Sequence, residues 1–330
     1  MTTALVTGGA GFIGSHVVDS LLEREVNVVV LDDLSGGFRR NVSEKAELIV
    51  GTIEDHEMID GLFQKHRFDF VFHLAAYAAE GLSHFIRRYN YRVNLLGSVN
   101  LINAAVLHET KCFVFTSSVA VYGDQQPPFH EGGPLTPADP YGASKLAVEH
   151  DLKAAAKLFG LNSIIFRPHN VYGERQNLSD PYRNVVGIFM NQVLRGEPCT
   201  IFGDGKQTRG FSHISDVAPI IARSVFEPAA FNEVFNIGAA ESCSVAELAH
   251  LVQKALGRSV PIRFLEPRSE AEHLASDHSK ATRIFGNRST LSLNVGLKRM
   301  AAWAKDLTPK PARRFTEIEI HRNLPHAWRE

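Results

Sequence analysis

The chain of 330 residues is 44% hydrophobic and 22% charged and has no low-complexity tract. That excludes a disordered protein and provides core enough for one large α/β unit or two closely packed domains. Its 35 Lys and Arg stand against 36 Asp and Glu, so no global field draws nucleic acid or an anionic membrane, and any anionic ligand must be met by a local site.

In chain order, short β-branched runs alternate with segments of helical period: a strand at 4–7, a helix at 13–23, strands at 27–31 and 48–50, a helix near 58–65 and a strand at 70–74. A helix around 91–108 leads to a strand at 112–118, and a helix at 141–159 leads to a strand at 162–166. This alternation predicts an α/β fold with a doubly wound parallel sheet, joined by right-handed crossovers. "TSSVAVYG" (116–123) reads as the end of a buried strand, Val119 and Val121 alternating until Gly123 stops the run. Beyond Arg167 the rhythm gives way to loops at 168–180 and 195–210, the mark of a second, smaller lobe. A strand-like stretch at 234–237 and a helix at 245–256, with Ser244 as N-cap and Glu247 at the capping-box position, suggest that the chain returns to the first lobe. The expected division is 1–166, rejoined by parts of 211–256, and 167–330. The three cysteines, Cys112, Cys199 and Cys243, lie far apart and read as reduced, cytoplasmic thiols. No signal peptide or membrane span is expected, and the 15 histidines form no metal-binding motif.

The first turn, Thr7-Gly8-Gly9-Ala10-Gly11-Phe12-Ile13-Gly14, lies between a strand and a helix. Glycines there permit a tight turn and close approach to a pyrophosphate, which the helix N-terminus attracts with its free N–H groups. Asp32 ends the second strand 18 residues after Gly14. A carboxylate there accepts from adenosine ribose hydroxyls and repels a 2′-phosphate, favouring NAD over NADP. Asp33 continues the same acidic step into the turn 32–37.

Tyr141-Gly-Ala-Ser-Lys145 opens a long helix after Pro140. One helical turn carries Lys145 onto the face of Tyr141. A tyrosine acting as a base at pH 7 needs its phenolate stabilised by about 4 kcal/mol, which a nearby ammonium and a cationic nicotinamide ring together supply.

With these residues in view, the chain resembles the extended short-chain dehydrogenases/reductases, specifically the NAD-dependent sugar-nucleotide epimerase/dehydratase group, and within it the UDP-glucose 4-epimerase-like enzymes. The resemblance covers nearly the whole chain through "TGGAGFIGSH", "LDDLSGG", "FHLAA", "SSVAVYGD", "PYGASK", "FRPHNVYG", "IFGDGKQTRGF", "FNIG" and "SDHSKA". It implies a Rossmann-type NAD-binding lobe and a C-terminal lobe that grips a nucleotide-diphosphate sugar. It also implies that Tyr141 is the base, Lys145 its orienter and Ser118 the hydroxyl that shares the substrate proton. Gly8, Gly11, Phe12, Ile13, Gly14, Asp32, Asp33, Thr52, Ile53, Leu74, Ala75 and Ala76 then fall at cofactor positions, and Asn170, Arg209 and Arg268 at substrate positions. Three departures stand out: Gly210 and Thr52 replace the usual Asp, and "PHNVYGERQNLSDPYRN" is not the usual Pro-Gly-rich loop. Arg175 and Arg183 in that loop are placed to approach a carboxylated sugar, or to serve solubility or a dimer contact.

In this group the first half-reaction gives a 4-keto sugar; the outcome depends on what else can move a proton. Dehydratases of the group carry Asp-Glu directly after the catalytic hydroxyl, and decarboxylases carry Glu two residues after it. Here those positions are Val119 and Ala120, neither of which transfers protons, so the resemblance implies 4-epimerisation of the UDP-glucose/UDP-galactose type. UDP-uronate and UDP-N-acetylhexosamine 4-epimerases remain alternatives, as do a 4-keto-sugar reductase, which Asp32 disfavours, and a silent NAD-binding regulator, which is expected to lose Tyr141 or Lys145. A homodimer through helices 91–108 and 141–159 is the expected assembly, with no nucleic acid, membrane or metal partner.

Overall fold

The computed structural model describes residues 2–238, 242–267, 272–286 and 290–329. The chain opens with β1 (Thr3–Thr7), α1 (Phe12–Leu22), β2 (Asn27–Asp32), β3 (Glu47–Val50), α2 (His56–His66) and β4 (Phe70–His73). All of β4 and all but the first residue of β2 are buried, as strands covered on both faces must be. Two short helices follow, α3 (Glu80–Ser83) and α4 (Arg87–Tyr91). The second runs through a π turn (Arg92–Leu96) into α5 (Gly97–Leu107), so the helix expected at 91–108 starts a turn earlier and is bulged in the middle. The bulge carries Asn94, whose side chain bonds both backbone polar groups of Tyr77, accepting at 2.8 Å and donating at 3.1 Å.

β5 (Cys112–Thr116) is shorter than expected. Residues Val119–Tyr122 form a 3₁₀ turn instead of continuing the strand. Both valines are buried, but Ser118 Oγ accepts from the Ala120 N–H at 3.1 Å, a local bond that replaces the strand ladder. α6 (Pro140–Phe159) begins where Asp139 accepts from the Gly142 N–H at 2.8 Å, and it ends on the left-handed Gly160. Then come β6 (Ser163–Pro168), β7 (Val171–Tyr172), α7 (Val185–Arg195), β8 (Cys199–Phe202), β9 (Thr208–Gly210), β10 (Ser212–His213), α8 (Ile214–Arg223) and β11 (Glu233–Ile237). The remaining elements are β12 (Ser242–Ser244), α9 (Val245–Leu256), β13 (Ile262–Leu265), β14 (His273–Leu274), α10 (Ser279–Phe285) and α11 (Leu293–Lys305).

Seven parallel strands form the main sheet in the order β11-β6-β5-β4-β1-β2-β3. The order reverses between β1 and β4, the switch point at which doubly wound sheets bind ligands beyond their carboxyl ends. One apolar core lies on each sheet face. On one of them α8 packs against α1 through Ile221, Ala218, Val17 and Leu21. α9, expected with the returning chain, instead presents Leu248, Ala249 and Val252 to α7 and α11 in a third core with Phe189, Met190 and Met300. Its N-cap is as expected, Ser244 Oγ accepting from the Glu247 N–H at 3.1 Å. The tail returns over the loop after β4, where Phe315 packs on Tyr77 and Tyr89, and Trp328 on Phe85 and Tyr182.

Candidate active site

The glycine turn after β1 is a backbone surface. Gly8 adopts φ +71°, and a Cβ there would stand 2.7 Å from the Ala75 nitrogen; at Gly14 it would stand 2.1 Å from the Gly8 carbonyl oxygen. α2, α6 and α9 each have a side-chain N-cap, in Asp55, Asp139 and Ser244, whereas α1 starts at Gly11 without one. Its first N–H groups, on Phe12 and Ile13, therefore remain for an anion. Asp32 is buried at the end of β2, its carboxylate accepting from Ala10 N–H at 3.0 Å and Leu34 N–H at 2.8 Å. Burial raises its pKa, against those two bonds. Each oxygen keeps a lone pair for a ribose hydroxyl, so cradle and acid together fit a dinucleotide.

The other expected cofactor positions gather around this turn. Asp33 is exposed, and its carboxylate accepts from the Ser35 N–H at 2.8 Å, which makes it a turn residue. Thr52 likewise accepts locally, from the Glu54 N–H at 3.2 Å, while Ile53 is buried under α5 at Gly97. Leu74, Ala75 and Ala76 continue β4, with Leu74 N–H donating to the Thr7 carbonyl at 3.1 Å and Ala75 N–H to Thr7 Oγ1 at 3.3 Å. His73 locks this strand end, its ring nitrogens lying 2.7 Å from Thr7 Oγ1 and 2.8 Å from Ser98 Oγ.

Ser118, Tyr141 and Lys145 come together at the carboxyl end of β5. The Ser118 hydroxyl lies close enough to Tyr141 to lower the pKa of its phenol, and the Lys145 ammonium lies 5.8 Å from the centre of the Tyr141 ring. Lys145 Nζ donates to the Thr116 carbonyl at 2.9 Å and sits over Phe115. Burial pulls the Lys145 pKa down to about 7, against the attraction of Glu149. Burial, followed by the charge of Glu80, pushes the Tyr141 phenol up; the Ser118 hydrogen bond and the more distant Arg183 work the other way. Val119 and Ala120, next to Ser118, bring no titratable group to this cluster.

Two supporting groups escaped the sequence reading. Asn90 and Asn94 form a ladder in which Asn90 Nδ2 donates to the Pro140 carbonyl at 2.9 Å and Asn94 Nδ2 to Asn90 Oδ1 at 2.8 Å, tying the start of α6 to the loop after β4. Their i, i+4 spacing is the only trace of this in "NYRVN". Behind Lys145, Glu149 and Arg167 make a fully buried bidentate pair at 2.5 and 2.9 Å. Ser117 donates to Glu149 at 2.6 Å, and Arg167 donates to the Tyr122 hydroxyl at 2.8 Å, which donates in turn to Asn236 on β11 at 2.7 Å. Glu149 stands one turn beyond Lys145, the one signal the sequence held.

The expected substrate residues are more scattered. Asn170, at φ +40°, follows β6 and accepts through its carbonyl from the Ser212 N–H at 3.2 Å. Arg209 on β9 is buried, one terminal nitrogen donating to the carbonyls of Thr208 at 2.8 Å and Glu272 at 3.0 Å. Arg268 lies outside the described residues. Arg175 pairs with Asp19 on α1 at 2.7 Å and donates to the Ser15 carbonyl at 3.2 Å. Arg183 pairs with Asp180 at 2.6 Å and lies over the Tyr77 ring. Among the described residues no group of three or more His, Cys, Asp or Glu is placed to hold a metal ion, and no helix is long and apolar enough to cross a membrane.

A parallel sheet with an uncapped glycine turn at its switch point, a buried acid ending β2 and a Ser-Tyr-Lys cluster beyond β5 define a dinucleotide-binding enzyme of the short-chain dehydrogenase/reductase class. The chain belongs to the NAD dependent epimerase/dehydratase family, whose model matches residues 4–238. It is 35% identical over 305 residues to a putative UDP-glucose 4-epimerase of Methanocaldococcus jannaschii, covering 92% of this chain and 98% of the relative. A UDP-glucose 4-epimerase from Thermotoga maritima, solved with UDP-glucose, superposes with a TM-score of 0.86 at 35% identity, covering 92% of this chain and 99% of the other. A UDP-glucuronic acid 4-epimerase from Bacillus cereus, solved with UDP-glucuronic acid and NAD, superposes with a TM-score of 0.84 at 30% identity, covering 93% and 100%.

Proposed function

We propose that this chain is an NAD-dependent isomerase that inverts C4 of a nucleotide-diphosphate hexose of the UDP-glucose/UDP-galactose type. The observation that carries the reading is the Ser118, Tyr141 and Lys145 cluster, next to which Val119 and Ala120 offer no further acid or base. NAD, held on the glycine turn and Asp32, supplies the hydride acceptor and donor. Tyr141 takes the proton of the sugar 4-hydroxyl and later returns it, Ser118 shares that proton through its hydrogen bond, and Lys145 provides the positive charge that favours the phenolate. A 4-keto sugar formed there finds no acid or base at Val119 or Ala120 to help expel the C6 hydroxyl, which favours reduction at C4 on either face as its exit. UDP-glucose and UDP-glucuronic acid, each bound by one of the relatives above, share the diphosphate and differ at C6.

The test is NMR of UDP-, dTDP-, GDP- and CDP-sugars incubated with the purified protein. Inversion at C4 with no consumption of added NAD(P)H supports the reading, while only 4-keto-6-deoxy products or stoichiometric NAD(P)H use refutes it. Tyr141→Phe is expected to lower turnover by at least about 100-fold while leaving NAD content unchanged; retained turnover would refute the assigned base.

We also propose a homodimer in a cytosolic setting, built through α5 and α6. These two helices and the turn before α5 leave Leu96, Leu107, Leu158 and Phe159 more than half exposed, apolar side chains that a partner subunit would cover.

A further inference from the structure

The loop between β7 and α7 belongs to the second half of the chain but lies along the first. His16 Nε2 on α1 is 3.0 Å from the Glu174 carbonyl oxygen, Arg175 pairs with Asp19, and Asn177 Nδ2 donates to the Gly36 carbonyl at 3.5 Å. Arg183 closes this strap. Its Nε donates to Asp180 at 2.6 Å, its guanidinium carbon lies 4.8 Å from the centre of the Tyr77 ring, and a Cβ on Gly36 would meet its terminal nitrogen at 2.7 Å. Gly36 belongs to the loop after β2 and Tyr77 to the loop after β4. Those two strands flank β1 in the sheet, so a side chain that touches both loops spans the glycine turn between them. Among the described residues the two terminal nitrogens of Arg183 have no protein acceptor, although the group is only partly exposed. A guanidinium oriented by one carboxylate, with its outer edge still open, suits a bidentate phosphate.

We infer that Arg183 is a clamp from the second lobe that closes over the cofactor and holds its pyrophosphate from the side opposite the α1 N-terminus. This rests on the proposed use of NAD. It gives Gly36 a role, because a larger residue there would displace the guanidinium from this position. It also makes cofactor retention depend on a lobe that the glycine motif does not reach, and Asp180 acts through Arg183 as a positioning residue.

The experiment is titration calorimetry on the cofactor-stripped full-length protein with ADP-ribose and with adenosine, comparing wild type, Arg183→Gln and Arg183→Lys. Expected for Arg183→Gln is about tenfold or greater weakening towards ADP-ribose, with adenosine affinity unchanged because it carries no phosphate. Arg183→Lys is expected to recover part of the loss. Equal weakening towards both ligands overturns the clamp and leaves Arg183 as a wall of the cleft. Unchanged ADP-ribose affinity also overturns it, and if KM for UDP-glucuronic acid rises while KM for UDP-glucose does not, the guanidinium serves a sugar carboxylate instead. Failure of the wild-type protein to bind ADP-ribose refutes the parent reading, a result distinct from all of these.

Discussion

Lys145 sits where its charge is useful and its burial is unfavourable. Its folded pKa of about 7 lies below the ordinary lysine value of about 10.4. Between those two values the unfolded chain binds more protons, so this group makes stability rise with pH, and below pH 7 its full penalty applies. Lys145→Met removes both the penalty and the slope. The cofactor-free variant is expected to melt about 2 °C or more above wild type at pH 6, with the advantage shrinking towards pH 9 and turnover falling by at least about 100-fold. Scanning calorimetry at the two pH values checks this, and an advantage equal at both would show that the ammonium is not the cause. Tyr141, Lys145 and the glycine turn were legible in the sequence because each motif is local and its spacing implies its geometry, whereas Ser118 was marked only by the family resemblance. The role of Arg175 stayed open in the sequence for the opposite reason: its partner Asp19 lies 156 positions earlier, and a lone arginine in a polar loop does not show what it will meet.

At the scale of elements, α6 carries the cluster and is held at both of its working points. Its start depends on Asp139, so Asp139→Ala is expected to cost about 1 kcal/mol in a urea titration and Asp139→Asn much less, since asparagine also caps. One turn past Lys145, the Glu149 pair with Arg167 joins α6 to β6 and, through Tyr122 and Asn236, to β11. Arg167→Met alone leaves the Glu149 carboxylate buried without its cation and is expected to cost about 3–5 kcal/mol. The double variant Glu149→Leu/Arg167→Met removes both charges and is expected to be more stable than Arg167→Met. A double variant less stable than the single one would mean that the pair contributes more than mutual neutralisation. The main strands were legible from their β-branched runs, and the helices from their period. The turn at 119–122 was not, because two valines two residues apart bury equally well on a strand or on a 3₁₀ turn, and the Ser118 side chain decided between them. The two- and three-residue strands β7, β9, β10, β12 and β14 are too short to carry any period.

At the scale of the whole molecule, segments late in the chain pack into cores built by early ones. β11 and α8 come from beyond residue 210 yet pack with β6 and α1, while the strap from Glu174 to Arg183 crosses the cofactor turn. An apolar strand-like run at 234–237 announced the first of these; α9 was assigned wrongly because its amphipathic face fits either core equally. The apolar side chains left uncovered are the ones that no intrachain packing accounts for. Leu158 and Phe159 end α6, and Leu107 ends α5, all more than 60% exposed. Each contributes about 1.5–3 kcal/mol when fully buried, and a two-fold axis would bury every one of them twice. Wild-type protein is therefore expected to sediment as a dimer at micromolar concentration, and Leu158→Asp/Phe159→Asp as a folded monomer with unchanged NAD content. A monomeric wild type would refute the proposed assembly, and a dimeric double variant would move the interface off α6. Because the same helix presents Tyr141 and Lys145 at its other end, the monomer is expected to lose turnover only to the extent that pairing steadies the start of α6.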